Sequence, residues 1–275
     1  MHRRFLPWLL VAPAGLVILV ILVLPILDTA RGTLDAAAGH GQAYLDFFDR
    51  GLNRGILWRT TKLALIVTAI AVVLGLPTAF YIARSPQARR SMLIVAAVFP
   101  LLTGTVVRSF AWIVILGRNG LLNDVLLWAG VIGEPIGLLY TETAIVLGLA
   151  YLFTPLMILS LVGVLENIDH DLMDAARSLG ATPAATFRQV TLPLAVPGLI
   201  VGSVLVFTGS FTAYTTPVLL GGQRNTVLAT LLYREAMVEF DWPAASTIAV
   251  IMMIVTVAIV LTMGWLARRM NPAVE

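Results

Sequence analysis

Six long apolar runs, separated by polar segments, organise the chain. They cover Phe5–Leu27, Leu63–Ala83, Met92–Gly117, Thr143–Leu165, Leu194–Leu219 and Ala244–Ala267. About 20 apolar residues in a helix cross roughly 30 Å of hydrocarbon. Lipid offers no partner for backbone N–H and C=O groups, so each run is expected to be a helix that satisfies them internally. Only the third run holds a charge, Arg108. Pro77, Pro100, Pro155, Pro197 and Gly202 fall inside runs, which a bundle tolerates where neighbours re-satisfy the freed groups. Leu121–Ile132 is too short to cross and is interrupted by Asn123 and Asp124; it predicts a short interfacial or re-entrant helix. The first run follows His2-Arg3-Arg4 like a signal peptide. It exceeds the 7–15 residues of a signal core and no clean small-x-small site follows, so a retained span is expected. The pattern predicts an all-α membrane protein with six transmembrane helices in one domain over residues 1–275.

Composition sharpens this reading. Hydrophobic residues make up 59% and charged residues 12% of the 275, and the mean hydropathy is +0.93. A soluble domain carries about 25% charge, so this chain lacks a water-compatible surface. The net charge of +3 comes from arginines scattered beside apolar runs rather than gathered in a patch, which excludes nucleic acid as a partner. There is no Cys, hence no disulfide framework and no thiolate metal site. The single lysine, Lys62, is not in a Gly-rich loop. The chain therefore has no phosphate-binding loop and is not itself an ATPase. His-Glu-x-x-His and Gly-x-Ser-x-Gly are absent, which leaves no catalytic residues to name.

Orientation rests on basic residues near the span ends. Arg3, Arg4, Arg84, Arg89, Arg90, Arg177, Arg188, Arg268 and Arg269 sit in short segments tight against the runs. Arg31, Arg50, Arg54, Arg59, Lys62, Arg118, Arg224 and Arg234 are spread over longer loops that hold most of the acids. The denser set is assigned to the cytoplasm, with both termini.

The loop from Asp171 to Pro193 is the most informative segment. Asp171 and Asp174 suit the positive end of a helix dipole. Ala175 and Ala176 permit close approach of another surface, and Gly180 stops the helix by accepting a left-handed backbone. Thr182 as N-cap and Pro183 at the first position start a second helix. Leu192-Pro193 is expected to end that helix and begin the fifth span. The result is a stiff helix–turn–helix elbow, residues 166–193, with Ala175, Ala176, Leu179 and Phe187 free to bury against a partner.

Asp174-Ala175-Ala176, three residues, Gly180, nine residues, Val190, one residue and Leu192-Pro193 resemble the Glu-Ala-Ala loop of inner-membrane permeases of binding-protein-dependent ABC importers, with Asp for Glu and Val for Ile. The resemblance implies the type I importer permease fold and a bacterial cytoplasmic (inner) membrane location. It also implies a channel shared with a second permease subunit, a different chain, and a solute delivered by a periplasmic binding protein. ATP and Mg would act on separate ATPase subunits, with no cofactor bound by this chain. Asp174, Ala175, Ala176, Arg177, Gly180, Pro183, Leu192 and Pro193 would form the coupling contact with the ATPase. Arg108-Ser109-Phe110-Ala111-Trp112, Leu220-Gly221-Gly222 and Asp241-Trp242-Pro243 are most similar to the spermidine/putrescine permease group. That group often has an acid after a Gly in span five; here Gly209 precedes Ser210, which weakens the case for a cationic solute.

Arg108 sits about 13 Å inward from Gly117 at 1.5 Å per residue. A charge at such depth faces a water-filled path or a partner; bonding carbonyls at a span kink is the other reading. Trp112 lies one turn on. Tyr151, Ser210, Thr212 and Tyr214 complete a candidate translocation path, weighed against hydroxyls that simply bind helix to helix. An ion-coupled secondary carrier is the rival function. Such carriers commonly bury Asp, Glu or His in their spans, and none of the six runs holds one.

Overall fold

The computed structural model describes residues 13, 15–17, 19–35 and 41–270. All regular structure among them is helical, with no strand. A π-helical turn, Leu19–Val23, leads into α1 (Leu24–Asp35). There follow α2 (Gln42–Asp49), α3 (Gly51–Ala83), α4 (Gln87–Leu102), α5 (Thr105–Leu116), α6 (Leu121–Trp128), α7 (Glu142–Leu165), α8 (His170–Ser178), α9 (Pro183–Thr186), α10 (Leu192–Thr212), α11 (Leu228–Met237) and α12 (Trp242–Met270). Six stretches among the described residues are long and apolar enough to cross a membrane: Gly15–Thr33, Gly51–Ala83, Thr105–Trp128, Glu142–Leu165, Pro183–Thr212 and Trp242–Trp265. Most of residues 5–14 of the first expected span lie outside the described residues.

The chain divides into two compact units. The larger comprises Ile56–Thr230 and Val255–Glu275. Its core joins α3, α7 and α10 through Leu63, Val67, Ile82, Ile145, Leu149, Met157, Leu161, Ala195 and Val206. Met157 of α7 packs against glycines of two other helices. A Cβ on Gly75 of α3 would lie 2.7 Å from its Cγ, and one on Gly202 of α10 would lie 2.5 Å from its Sδ. Glycine is required at both places because the thioether already fills the space a side chain would need. Arg59 and Lys62, near the start of α3, meet Glu142 at the start of α7. These two helices therefore run in the same direction.

Three expectations change. The third span is not one helix: α4 ends at Leu102 and α5 starts at Thr105, with Thr103 extended. Pro100 and Gly104 weaken the helix on both sides of that point. The fifth span is also interrupted. Ala213 turns extended after Thr212, and a π turn, Pro217–Gly221, follows. Leu192-Pro193 does not stop a helix. The backbone runs from α9 through a π turn, Phe187–Thr191, straight into α10, and the Leu192 N–H donates to the Phe187 carbonyl five residues back. Proline lacks a donor and its ring crowds the carbonyl four residues before it; the wider turn accommodates that ring without ending the helix.

The smaller unit comprises Met1–Gly55 and Leu231–Ile254. Within it, Thr33 Oγ1 and Tyr44 Oη lie 2.6 Å apart, tying α1 to α2. Asp241 caps α12 by accepting from the Ala244 N–H at 2.9 Å. Much of the segment between the first two apolar runs, residues 28–62, is helical among the described residues.

Candidate functional site

The elbow is a capped, two-armed structure. Asp169 is the N-cap of α8 and accepts from the Asp171 N–H at 3.0 Å. The helix closes with paired bonds, Gly180 N–H to the Arg177 carbonyl at 2.9 Å and Ala181 N–H to the Ala176 carbonyl at 3.1 Å. Gly180 carries φ +86°, the left-handed turn this closure requires. Space around its Cα is open, so strain rather than collision restricts the position. Thr182 accepts from the Ala185 N–H at 3.3 Å and Pro183 opens the second arm, as the sequence indicated. Each cap removes an orphan donor, worth about 1 kcal/mol.

The faces of the elbow differ. Asp174 and Arg177 form an exposed ion pair at 3.5 Å. Leu172 is 50% exposed and Leu179 89%. With the exposed Ala175 they stand at i, i+3 and i+7, an apolar ridge on one side of α8. Ala176 is half-buried, as is Leu192, while Pro183 and Pro193 are exposed. Phe187 is not free for a partner: its ring meets Phe80 of α3 edge-on, with centroids 5.2 Å apart. Met173 is buried. It receives a hydrogen bond from Arg84 Nη2 on its sulfur and a longer one from Thr191 Oγ1 at 3.8 Å. The Arg84 guanidinium in turn lies over the Phe80 ring, 4.0 Å from its centroid. Burial and then the like charge of Arg177 lower the Arg84 pKa. Arg90 donates to Glu166 at 3.3 Å and to the Ala83 carbonyl at 3.3 Å, fastening α4 to the ends of α7 and α3.

Among the candidate path residues, Arg108 is buried. Its Nη1 donates to the Pro100 carbonyl at 2.7 Å, the Thr103 carbonyl at 3.0 Å and Thr103 Oγ1 at 3.3 Å. The guanidinium thus satisfies carbonyls at the end of α4, which a helix end always leaves orphaned. Of the two readings drawn from the sequence, this is the kink-bonding one. Trp112 and Tyr151 come together edge to face, centroids 5.6 Å apart. Ser210 is buried, and its Oγ and that of Thr154 have no hydrogen-bond partner among the described residues. Thr212 Oγ1 donates back to the Thr208 carbonyl at 2.8 Å. Tyr214 is half-buried beside the break after α10.

Sequence reasoning missed two groups. Glu142 accepts from Arg59 Nε at 3.0 Å and Lys62 Nζ at 2.6 Å. Arg59 Nη1 also reaches the Thr226 carbonyl at 3.2 Å, so one carboxylate gathers α3, α7 and the loop before α11. The contacts of Met173 with Arg84, and of Arg84 with Phe80, were likewise invisible. Charge pairing across 80 residues leaves no local signature, and neither does a single methionine in a nine-residue helix.

Comparison with known proteins completes the picture. The chain belongs to the family described as the binding-protein-dependent transport system inner membrane component, whose profile matches residues 71–275. It is 33% identical to the spermidine/putrescine transport system permease protein PotB of Escherichia coli (strain K12), over 80% of each chain. It is also 33% identical to PotB of Haemophilus influenzae, over 71% of this chain and 68% of that one. In fold it is similar to a bacterial ABC transporter that imports the acidic polysaccharide alginate: TM-score 0.76, 18% identity, covering 97% of this chain and 96% of that one. The chain is a permease subunit of a binding-protein-dependent ABC importer and a multi-pass protein of the bacterial inner membrane. Its partners are of the general kinds such importers use, an ATPase and a solute-binding protein.

Proposed function

We propose that the elbow is where the ATPase subunits act on this permease, and that the solute is a small polyamine. The observation that carries the first part is the ridge of Leu172, Ala175 and Leu179, with Leu179 89% exposed. It lies on a short helix held rigid by caps at both ends. A rigid apolar ridge flanked by the Asp174–Arg177 pair suits a groove on a soluble partner, buried apolar contact supplying affinity and the charges orientation. Because α9 continues into α10, displacement of the elbow tilts that span directly. On this reading both termini face the cytoplasm, and the second permease of the pair is a different chain.

The solute proposal rests on the likeness to PotB. Ser210 supplies a hydroxyl where a carboxylate would favour a cation, so discrimination falls to the binding protein and to Trp112, Tyr151 and the hydroxyls of Thr154 and Ser210 along the path. Aromatic faces attract organic cations without a formal charge.

Two measurements test these parts separately. Leu179→Asp should release the ATPase from purified complex while the permease stays in the membrane; full retention of the ATPase with normal transport contradicts the elbow assignment. Radiolabelled spermidine should accumulate in ATP-charged vesicles holding the whole importer and be competed by putrescine. Absence of uptake, with the binding protein showing no affinity for either amine, contradicts the solute assignment.

A further inference from the structure

The elbow helix α8 is outside the bundle, yet it has one side chain inside it. Met173 is 6% exposed and is the only fully buried residue among those of α8 whose side chains are described. Its neighbours belong to three other elements: Arg84 just past α3, Thr191 at the entrance to α10, and Leu165 and Ile168 around the end of α7. Arg84 bonds the Met173 sulfur and stacks on Phe80, and Phe80 meets Phe187 on the second arm. The contacts run in series: Met173, Arg84, Phe80, Phe187. Both arms of the elbow are thereby fixed to the last turn of α3. No other side-chain hydrogen bond or ring contact described for α8 or the 187–191 turn reaches α3.

We infer that Met173, Arg84, Phe80 and Phe187 form the joint through which the elbow moves α3, with Met173 and Arg84 as positioning residues for transport. The inference rests on the elbow being the ATPase contact. The chemistry suits a bearing better than a weld. A thioether is unbranched, polarizable and adapts to changing surroundings. A guanidinium over a ring keeps its attraction while sliding across the face. A cavity of about 40 Å³ beside Met173, lined by Phe80, Arg84 and Arg90, leaves it room to shift. Movement reaches α10 through continuous backbone and α3 through this stack, so the two spans receive the same displacement from one source.

The test uses the whole importer in liposomes, with the binding protein purified still carrying its natural solute. Coupling free energy between sites is reciprocal, so the signal is read in reverse: stimulation of ATP hydrolysis by the charged binding protein. Met173→Ala and Arg84→Ala are expected to keep the ATPase bound at the unaltered stoichiometry while the stimulation falls roughly 5-fold or more. Met173→Leu, which restores the volume but cannot accept from Arg84, should recover only part of it. Should Met173→Ala fail to accumulate, the milder Phe80→Leu and Phe187→Leu changes carry the same expectation. Full stimulation in Met173→Ala or in both milder variants overturns the joint. Leu179→Asp separates this from failure of the elbow assignment. If Leu179→Asp releases the ATPase but the joint variants remain fully stimulated, the elbow stands and the joint falls. If Leu179→Asp leaves both attachment and stimulation intact, the elbow assignment itself falls and takes the joint with it.

Discussion

Arg108 shows how a single side chain can decide the shape of a span. A buried guanidinium in a membrane protein needs acceptors, and here the interruption at Thr103 and Gly104 provides them at 2.7 and 3.0 Å. The cause and the cure are local: proline and glycine loosen the helix, and the arginine four residues after the break gathers the loose carbonyls. Arg108→Ala strands the Pro100 and Thr103 carbonyls at about 1–3 kcal/mol for each buried group left unsatisfied. Thermal unfolding of the detergent-solubilised importer should fall, with Arg108→Lys intermediate because one ammonium retains a donor. An unchanged midpoint for Arg108→Ala would remove the structural role and return the residue to the path. The sequence made the depth of Arg108 legible but not its partners, since both readings place the same charge at the same height. Gly180 was fully legible: a glycine at the end of a short amphipathic helix, before Thr-Pro, has one conformational use. Gly180→Ala meets no atom yet adopts φ +86° at a cost of about 1–2 kcal/mol.

At the scale of elements, hydropathy marked where apolar helices form but not their continuity. The run at 92–117 is uniformly apolar across its break, because a kink satisfied by a side chain needs no polar marker of its own beyond Arg108. Leu192-Pro193 misled in the opposite sense. A Leu-Pro pair reads as a helix stop, and the π turn beginning at Phe187 removes the conflict that would have stopped it. Close packing of α3, α7 and α10 was equally hidden. Gly75 and Gly202 look like ordinary small residues in apolar runs until Met157 is seen between them. Gly202→Ala puts a methyl against the Met157 sulfur and should destabilise by about 1–3 kcal/mol, the usual range for overpacking. Met157→Ala in the same chain makes room and should recover part of the loss. A double variant less stable than the sum of the singles would contradict this contact.

Across the whole molecule, the larger unit contains one helix, α3, held by contacts near both ends. From Arg59 to its end at Ala83, α3 runs about 36 Å at 1.5 Å per residue. One end is gathered by Glu142 and the other by the Met173 stack. The Glu142 network is half-exposed, so each pair is worth only about 0.2–1 kcal/mol; its importance is geometric, since it holds α3, α7 and the loop at 226 in one register. Glu142→Gln should leave the complex assembled but speed proteolytic cleavage in the 223–226 loop, measured in membranes; unaltered cleavage would show that the loop is held by its own bonds alone. The class of protein was legible from the elbow and the six runs together. The mechanical connections were not, because most of them join residues far apart in the chain through contacts that no local pattern encodes.

The most direct measurement exploits the absence of cysteine in the natural chain. A single Leu179→Cys variant, assembled with its partners in intact membranes, carries one thiol at the tip of the elbow. A short bifunctional reagent should join it to the ATPase subunit, and a membrane-impermeant maleimide added from outside the cell should leave it unlabelled. Labelling from outside, with no adduct to the ATPase, would place the elbow on the wrong side of the membrane and contradict the account.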